Sequence, residues 1–146
     1  VTAKYNAGCI LMHIKGTPKD MQKNPVYENV VQEVYDYLKF SISIAKKYGI
    51  KQIITDVGIG FGKSLEHNLE LIRNLKEFTK LGFPVLLGVS RKSFIDKIFP
   101  SDLGDRLEGT IAANVIGIMN GANIMRVHDI RENIKAVKVA DRILFK

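Results

Sequence analysis

The chain has 146 residues, 46% hydrophobic and 25% charged, with a formal charge of +7, the balance of one globular domain able to bury its own core. No apolar run nears the ~18 residues of a membrane span, the first residues lack the apolar stretch and cleavage site of a signal peptide, and Cys9 is the only cysteine, which excludes an internal disulfide framework and points to the reducing cytoplasm. The lysines are scattered along helices with no dense basic block interleaved with aromatics, so neither nucleic acid nor a membrane is expected as partner, and a few selected cations near strand ends point instead to an anionic small molecule.

The elements repeat a βα pattern. Residues 9–13 form a short apolar run, read as a buried strand, and Cys9 within it reads as a core thiol. A loop with Gly16, Pro18 and Pro25 follows, then a helix over about 27–48 whose Val30, Val34, Leu38, Ile42 and Ala45 keep the spacing of one face; Gly49 closes it. The β-branched run 52–56 is a second strand. A glycine-rich loop over 58–62 leads to Ser64, an N-cap for a helix from Leu65 to about Leu81, ended by Gly82. Residues 85–89 are a third strand, and 90–104 read as a long loop. Asp105 with Glu108, and Asp129 with Glu132, have capping-box spacing and predict helix starts on either side of a fourth strand over 123–127. These four units, without linker or low-complexity segment, imply a parallel sheet covered on both faces. A small doubly wound sheet and half of a (β/α)8 barrel, whose full form needs roughly 250 residues, both fit the periodicity.

The ionisable residues gather at the strand C-termini, where parallel α/β folds bind ligands: His13, Asp56, Ser90 with Arg91 and Lys92, then Arg126, His128 and Asp129. Asp56 can cap the following turn or accept the paired N–H donors of a planar ring edge. The loop from Gly58 to Lys63 misses the phosphate-loop spacing by one position and is not a dinucleotide fingerprint. Its glycines let backbone approach a flat ligand, and Phe61 offers either an aromatic wall or core packing. Lys92 is expected to turn inward, and Ser90 to meet a substrate carboxylate. Arg126 and His128, two apart on a strand, share the face opposite Val127 and suit an anion. His13, with no such neighbour, reads as a wall residue or a ligand contact. No metal-ligand spacing and no Ser-His-Asp order stands out.

Taken together, Leu11-Met12-His13-Ile14-Lys15-Gly16-Thr17-Pro18, Asp56-Val57-Gly58-Ile59-Gly60-Phe61-Gly62-Lys63, Ser90-Arg91-Lys92-Ser93-Phe94, Arg106-Leu107-Glu108-Gly109-Thr110 and Arg126-Val127-His128-Asp129 resemble, in order, the motifs of the dihydropteroate synthase family. The resemblance covers essentially the whole chain. It implies the C-terminal half of a single pterin-binding (β/α)8 TIM barrel, residues 1–146 supplying about the last four βα units. It implies a transferase of folate biosynthesis that joins 6-hydroxymethyl-7,8-dihydropterin pyrophosphate to 4-aminobenzoate, is blocked by sulfonamides, and is a possible homodimer. By the same resemblance Lys92, Arg126 and His128 are catalytic. Asp56 holds the ring edge, Arg126 and His128 the leaving pyrophosphate, and Ser90 lies near the aminobenzoate carboxylate. Met12, Gly60, Phe61, Gly88, Arg91 and Val127 complete the substrate-binding set. Magnesium is implied too, with its protein ligand in the absent half. Val57 departs from the family's usual proline. With the first four strands absent, the chain is expected to fold poorly and lack activity by itself. The alternatives are the pterin domain of a methyltetrahydrofolate-dependent methyltransferase and a self-contained, non-catalytic phosphate-binding βα domain.

Overall fold

A computed structural model describes residues 1–17, 19–21 and 23–145; Pro18, placed by sequence in the first loop, lies outside the described residues. Four strands, β1 (Cys9–Met12), β2 (Ile53–Asp56), β3 (Val85–Leu87) and β4 (Ile124–Met125), pair in parallel in the order β1-β2-β3-β4. That order separates the two architectures periodicity left open. A doubly wound sheet reverses its order partway and sends helices to both faces. Here each crossover steps to the next strand in one direction, which with right-handed connections puts the helices on one face. The sheet is an arc of a (β/α) barrel.

Burial follows from this. Leu11, Val57, Val85, Leu87, Val89 and Met125 point outward into one core with Val34, Leu38, Leu71, Leu75 and Phe78 from the helices. The opposite face carries Ile10 paired with Ile54 and Leu86 paired with Ile124, and Ile10 is 48% exposed. Cover on both faces, expected from the apolar strands, is therefore corrected: these helices cover one face, and the inner face is the concave side of the arc.

The helices are α1 (Val30–Lys47), α2 (Leu65–Arg73), α3 (Leu75–Thr79), α4 (Ser93–Ile98), α5 (Leu107–Met119) and α6 (Ile130–Leu144). The α1 stripe predicted by spacing is buried, and Asn29 caps it by accepting from the Gln32 N–H at 2.9 Å. Ser64 caps α2 in a reciprocal box with His67. The helix expected over 65–81 is instead two. The Asn74 side chain donates to the Glu70 carbonyl at 2.8 Å, a local bond that competes with helix continuation. The expected loop over 90–104 contains α4, anchored by buried Phe94 and Ile95. Neither Asp105 nor Asp129 caps a helix with its side chain: a 3-10 turn, Leu103–Arg106, precedes α5, and the Asp129 carboxylate is bound to Arg91. Helix α5 lies close on β3 because residue 117 is glycine; a Cβ there would stand 2.2 Å from Leu87 Cδ2. Among the described residues no helix is long and apolar enough to cross a membrane.

Candidate active site

The strand C-termini meet along one edge of the arc. Asp56, at the end of β2, is 1% exposed. Its Oδ1 accepts from the Gly58 N–H at 2.8 Å and its Oδ2 from Arg126 Nη2 at 3.1 Å. Asp56 thus caps its own turn, one of the two roles considered for it, and turns its other oxygen to the inner face, where its partner is Arg126. Arg126 reaches it by lying across β3, which requires Gly88; a Cβ there would come within 2.9 Å of the guanidinium.

Lys92 does turn inward. Its ammonium donates to the Ile59 carbonyl and stands 4.5 Å from the Phe61 ring centroid. Its stem runs over Gly60, where a Cβ would lie 3.2 Å from Lys92 Cδ. Burial pulls the ammonium down to about 8, with Asp56 opposing the shift and Arg126 adding to it. Phe61 is half-buried beside it, and Met12 pairs with Asp56 across the β1–β2 ladder, on the inner face.

Arg91 and Lys92 diverge. Arg91 has a left-handed backbone (φ 56°), which breaks strand alternation and sends its side chain to Asp129, Nε donating to Oδ2 at 3.0 Å with Nη2 on the other oxygen. This fork holds the Asp129 carboxyl below the usual carboxylate range. The Arg91 N–H donates to Thr110 Oγ1 at 3.0 Å, and its carbonyl accepts from Arg106 at 3.2 Å. Arg91 is a strut between the loops after β3 and β4.

Ser90 is buried and engaged by His128: its hydroxyl accepts from the His128 backbone N–H at 3.1 Å and lies 2.9 Å from Nδ1. With one lone pair so used, its hydrogen can go to Nδ1, which leaves the ring proton on Nε2 as a donor. Ser90 was expected at a substrate carboxylate; its observed partner is the histidine it orients. Gly88, Ser90, Lys92, Arg126, Val127 and His128 line a cleft of about 150 Å³. The Val127 side chain also borders a hollow of about 470 Å³ beneath α5 and α6. That hollow and one of about 490 Å³ beside α1 are larger but mostly apolar, so polar convergence rather than volume marks the site.

His13 has a partner that the sequence did not disclose. Lys63 is 2% exposed, and its Nζ lies 2.9 Å from His13 Nδ1, 2.9 Å from the Gly58 carbonyl and 3.0 Å from that of Phe61. Burial lowers Lys63 to about 7, against the pull of Asp56. Burial and Lys63 lower His13 to about 4. Tyr27 was missed as well; its hydroxyl donates to the Gly62 carbonyl at 2.8 Å, tying the loop after β1 to the glycine loop. Lys63 carries no sequence signal beyond adjacency to the glycines, and Tyr27, remote from them in sequence, carries none. The edge thus sets Lys92, Arg126 and His128 on one cleft beside the Asp56 carboxylate, a setting that attracts anions. Among the described residues no group of three or more His, Cys, Asp or Glu is placed to hold a metal ion.

A parallel βα arc with a cationic cleft beside a buried carboxylate defines a ligand-binding barrel edge. Residues 1–128 match the family described as pterin binding enzyme, and the chain belongs to that family. Among curated relatives, a dihydropteroate synthase of Clostridium beijerinckii is 46% identical over 99% of this chain and 52% of its own length. Among solved structures, the dihydropteroate synthase of Yersinia pestis, in complex with a sulfonamide drug, superimposes with a TM-score of 0.95 at 34% identity over 97% of this chain and 52% of that one. That of Thermus thermophilus, in complex with 6HMPPP, gives 0.94 at 37% identity over 99% and 58%. The Thermus enzyme is also solved with 4-aminobenzoate, at a TM-score of 0.93, 37% identity, and 99% and 60% coverage. The chain spans about half the length of these relatives.

Proposed function

We propose that the complete protein is a dihydropteroate synthase, a transferase joining 6-hydroxymethyl-7,8-dihydropterin pyrophosphate to 4-aminobenzoate, and that residues 1–146 form the C-terminal half of its single barrel domain. One observation carries the reading: Asp56, an acceptor for the edge of a flat ring, and the cleft of the Ser90–His128 pair, a place for an anion, stand on the same sheet edge, with Arg126 bonded to the first and lining the second. A substrate that is a planar heterocycle at one end and a pyrophosphate at the other matches that pairing. The names of the relatives support it.

In this mechanism the bond from the pterin methylene carbon to the pyrophosphate oxygen breaks, and its electron pair leaves with the pyrophosphate. The arylamine nitrogen forms the new C–N bond and sheds a proton. Arg126 and the Nε2–H of His128 take up the charge growing on the leaving oxygens. Lys92, poised over Gly60 and Phe61, lies against the ring and orients the attacking amine. Met12, Gly60, Gly88, Arg91 and Val127 complete the proposed substrate surface, Arg91 by holding the loop rather than by contact.

Magnesium belongs to the proposal for the whole protein, but the residues here do not fit it. Asp56 is the buried carboxylate at this edge, and it already accepts from Gly58 and Arg126, while the cleft is lined by cations and donors. We further propose a cytoplasmic homodimer with no nucleic-acid or membrane partner; sedimentation showing only monomer of the complete protein would remove the dimer. The decisive assay is pyrophosphate release by the complete protein. Release dependent on both substrates, and blocked by a sulfonamide in competition with 4-aminobenzoate, supports the reading; methyl transfer without such release overturns it.

A further inference from the structure

We propose that Lys63 is a positioning residue of the pterin site, which, seated against His13, sets the turn 58–61 from beneath and thereby the place of the Asp56 carboxylate and the Phe61 ring. This rests on the pterin reading above.

Lysine is among the residues least often fully buried, yet Lys63, 2% exposed, is among the largest buried side chains of the described residues. An aliphatic residue would avoid the cost of desolvating an amine, so the amine has work that hydrocarbon cannot do. Its three contacts match its three hydrogens: the carbonyls of Gly58 and Phe61 and the ring nitrogen of His13. The two carbonyls are the inward-facing acceptors of a turn in which every second residue is glycine. His13 stays neutral in this setting. It can accept from an ammonium or donate to a free amine, so the triad of contacts survives in either state of Lys63.

The consequences run straight to the ring site. Gly58 has φ +71°, and a Cβ there would fall 1.9 Å from the His13 carbonyl; the turn is pressed against the end of β1. Its carbonyl is held by Lys63 and its N–H by Asp56 Oδ1. The Phe61 carbonyl is held by Lys63, while Lys92 takes the Ile59 carbonyl and faces the Phe61 ring. Two amines therefore grip one loop, Lys92 at the ligand face and Lys63 at the core. Asn68 accepts from the Gly60 N–H at 2.7 Å and fixes the loop's middle. Lys63 is not among the residues lining the anion cleft, which gives the proposal a specific signature.

The test is steady-state kinetics of the complete protein with Lys63→Met, which keeps length and removes the donors. The KM for the pterin pyrophosphate should rise tenfold or more, with the KM for 4-aminobenzoate changed by less than about twofold. A residue needed only for folding would lower the active fraction, hence apparent kcat, and leave both KM values alone; that result overturns the proposal. Should Lys63→Met not fold, His13 decides. His13→Leu, which removes the acceptor, should raise the pterin KM at least threefold more than His13→Asn, which keeps one; equal effects overturn the proposal. A wild-type protein that binds no pterin overturns the functional reading and this inference with it, whereas pterin binding unchanged in folded Lys63→Met overturns the inference alone.

Discussion

Asp56 and Arg126 are 70 positions apart in sequence and 3.1 Å apart in space, the carboxylate buried and the guanidinium half-exposed. The family resemblance gives them different ends of a substrate, ring edge and leaving group, yet they are already partners. A carboxylate has about four lone-pair sites. Gly58 and Arg126 occupy one on each oxygen, so a ring edge can add its two donors without breaking the pair. On the proposed function, the pair aligns the two halves of the substrate across the mouth of the arc.

Asp56→Asn tests this directly. The amide oxygen can still accept from Gly58, but its NH2 would face the Arg126 donor. The affinity of the complete protein for the pterin pyrophosphate, read by calorimetric titration, should fall at least tenfold, about 1.4 kcal/mol. Unchanged affinity would place the ring elsewhere.

Much of the fold was legible because it depends on local pattern. The α1 stripe, the Ser64 cap and the inward turn of Lys92 all follow from spacing or from position after an apolar strand. What escaped depended on contacts distant in sequence. Asp129 has the spacing of a capping residue, but Arg91 offers it a bidentate charged partner, and a fork of two such bonds outcompetes a cap. Helix α4 has six residues, too few for periodicity to register. Strand order, which decided the architecture, is not encoded in any single βα unit. The burial of Lys63 depends on His13, just past the end of β1 and 50 residues earlier.

Lys63 and His13, depressed as Lys92 is, make stability depend on pH with a definite sign. Lys63 is lowered from 10.5 to about 7. Between those values the unfolded chain binds a proton that the folded one does not, so stability rises with pH across that window and the burden of burying the amine is fully present below it. His13, lowered from 6.5 to about 4, acts in the same direction at lower pH: stability is lost as pH falls from 6.5 toward 4. Thermal melts of the complete protein should show wild type gaining on Lys63→Met from pH 7 to 10; a constant difference would mean that Lys63 keeps its ordinary basicity.

The contact of α5 with β3 yields a stability test independent of function. Leu87 is fully buried, so Leu87→Ala should cost about 2–5 kcal/mol. Gly117→Ala puts a methyl where Leu87 Cδ2 stands and should cost about 1–3 kcal/mol by overpacking, despite alanine's better helix propensity. Combined, the new methyl occupies space vacated by Leu87, so the double variant should be at least about 1 kcal/mol more stable than the sum of the singles predicts. Additivity in denaturant unfolding would show that the two side chains do not share that space.

The Ser90–His128 pair bears most directly on the chemistry. Ser90→Ala leaves Nδ1 without its 2.9 Å partner and frees the His128 backbone N–H, so the imidazole can rotate and its tautomer is no longer set. On the proposed function, the loss should appear where the leaving group is held. Inhibition by pyrophosphate should weaken about three- to tenfold, in line with losing one hydrogen bond of about 1 kcal/mol, and kcat should fall with it. Binding of a pterin that lacks the pyrophosphate should be little changed, because Asp56 and Lys92 do not depend on Ser90. Equal weakening of both ligands would mean that Ser90 supports the whole edge and that the anion cleft is not a separate subsite.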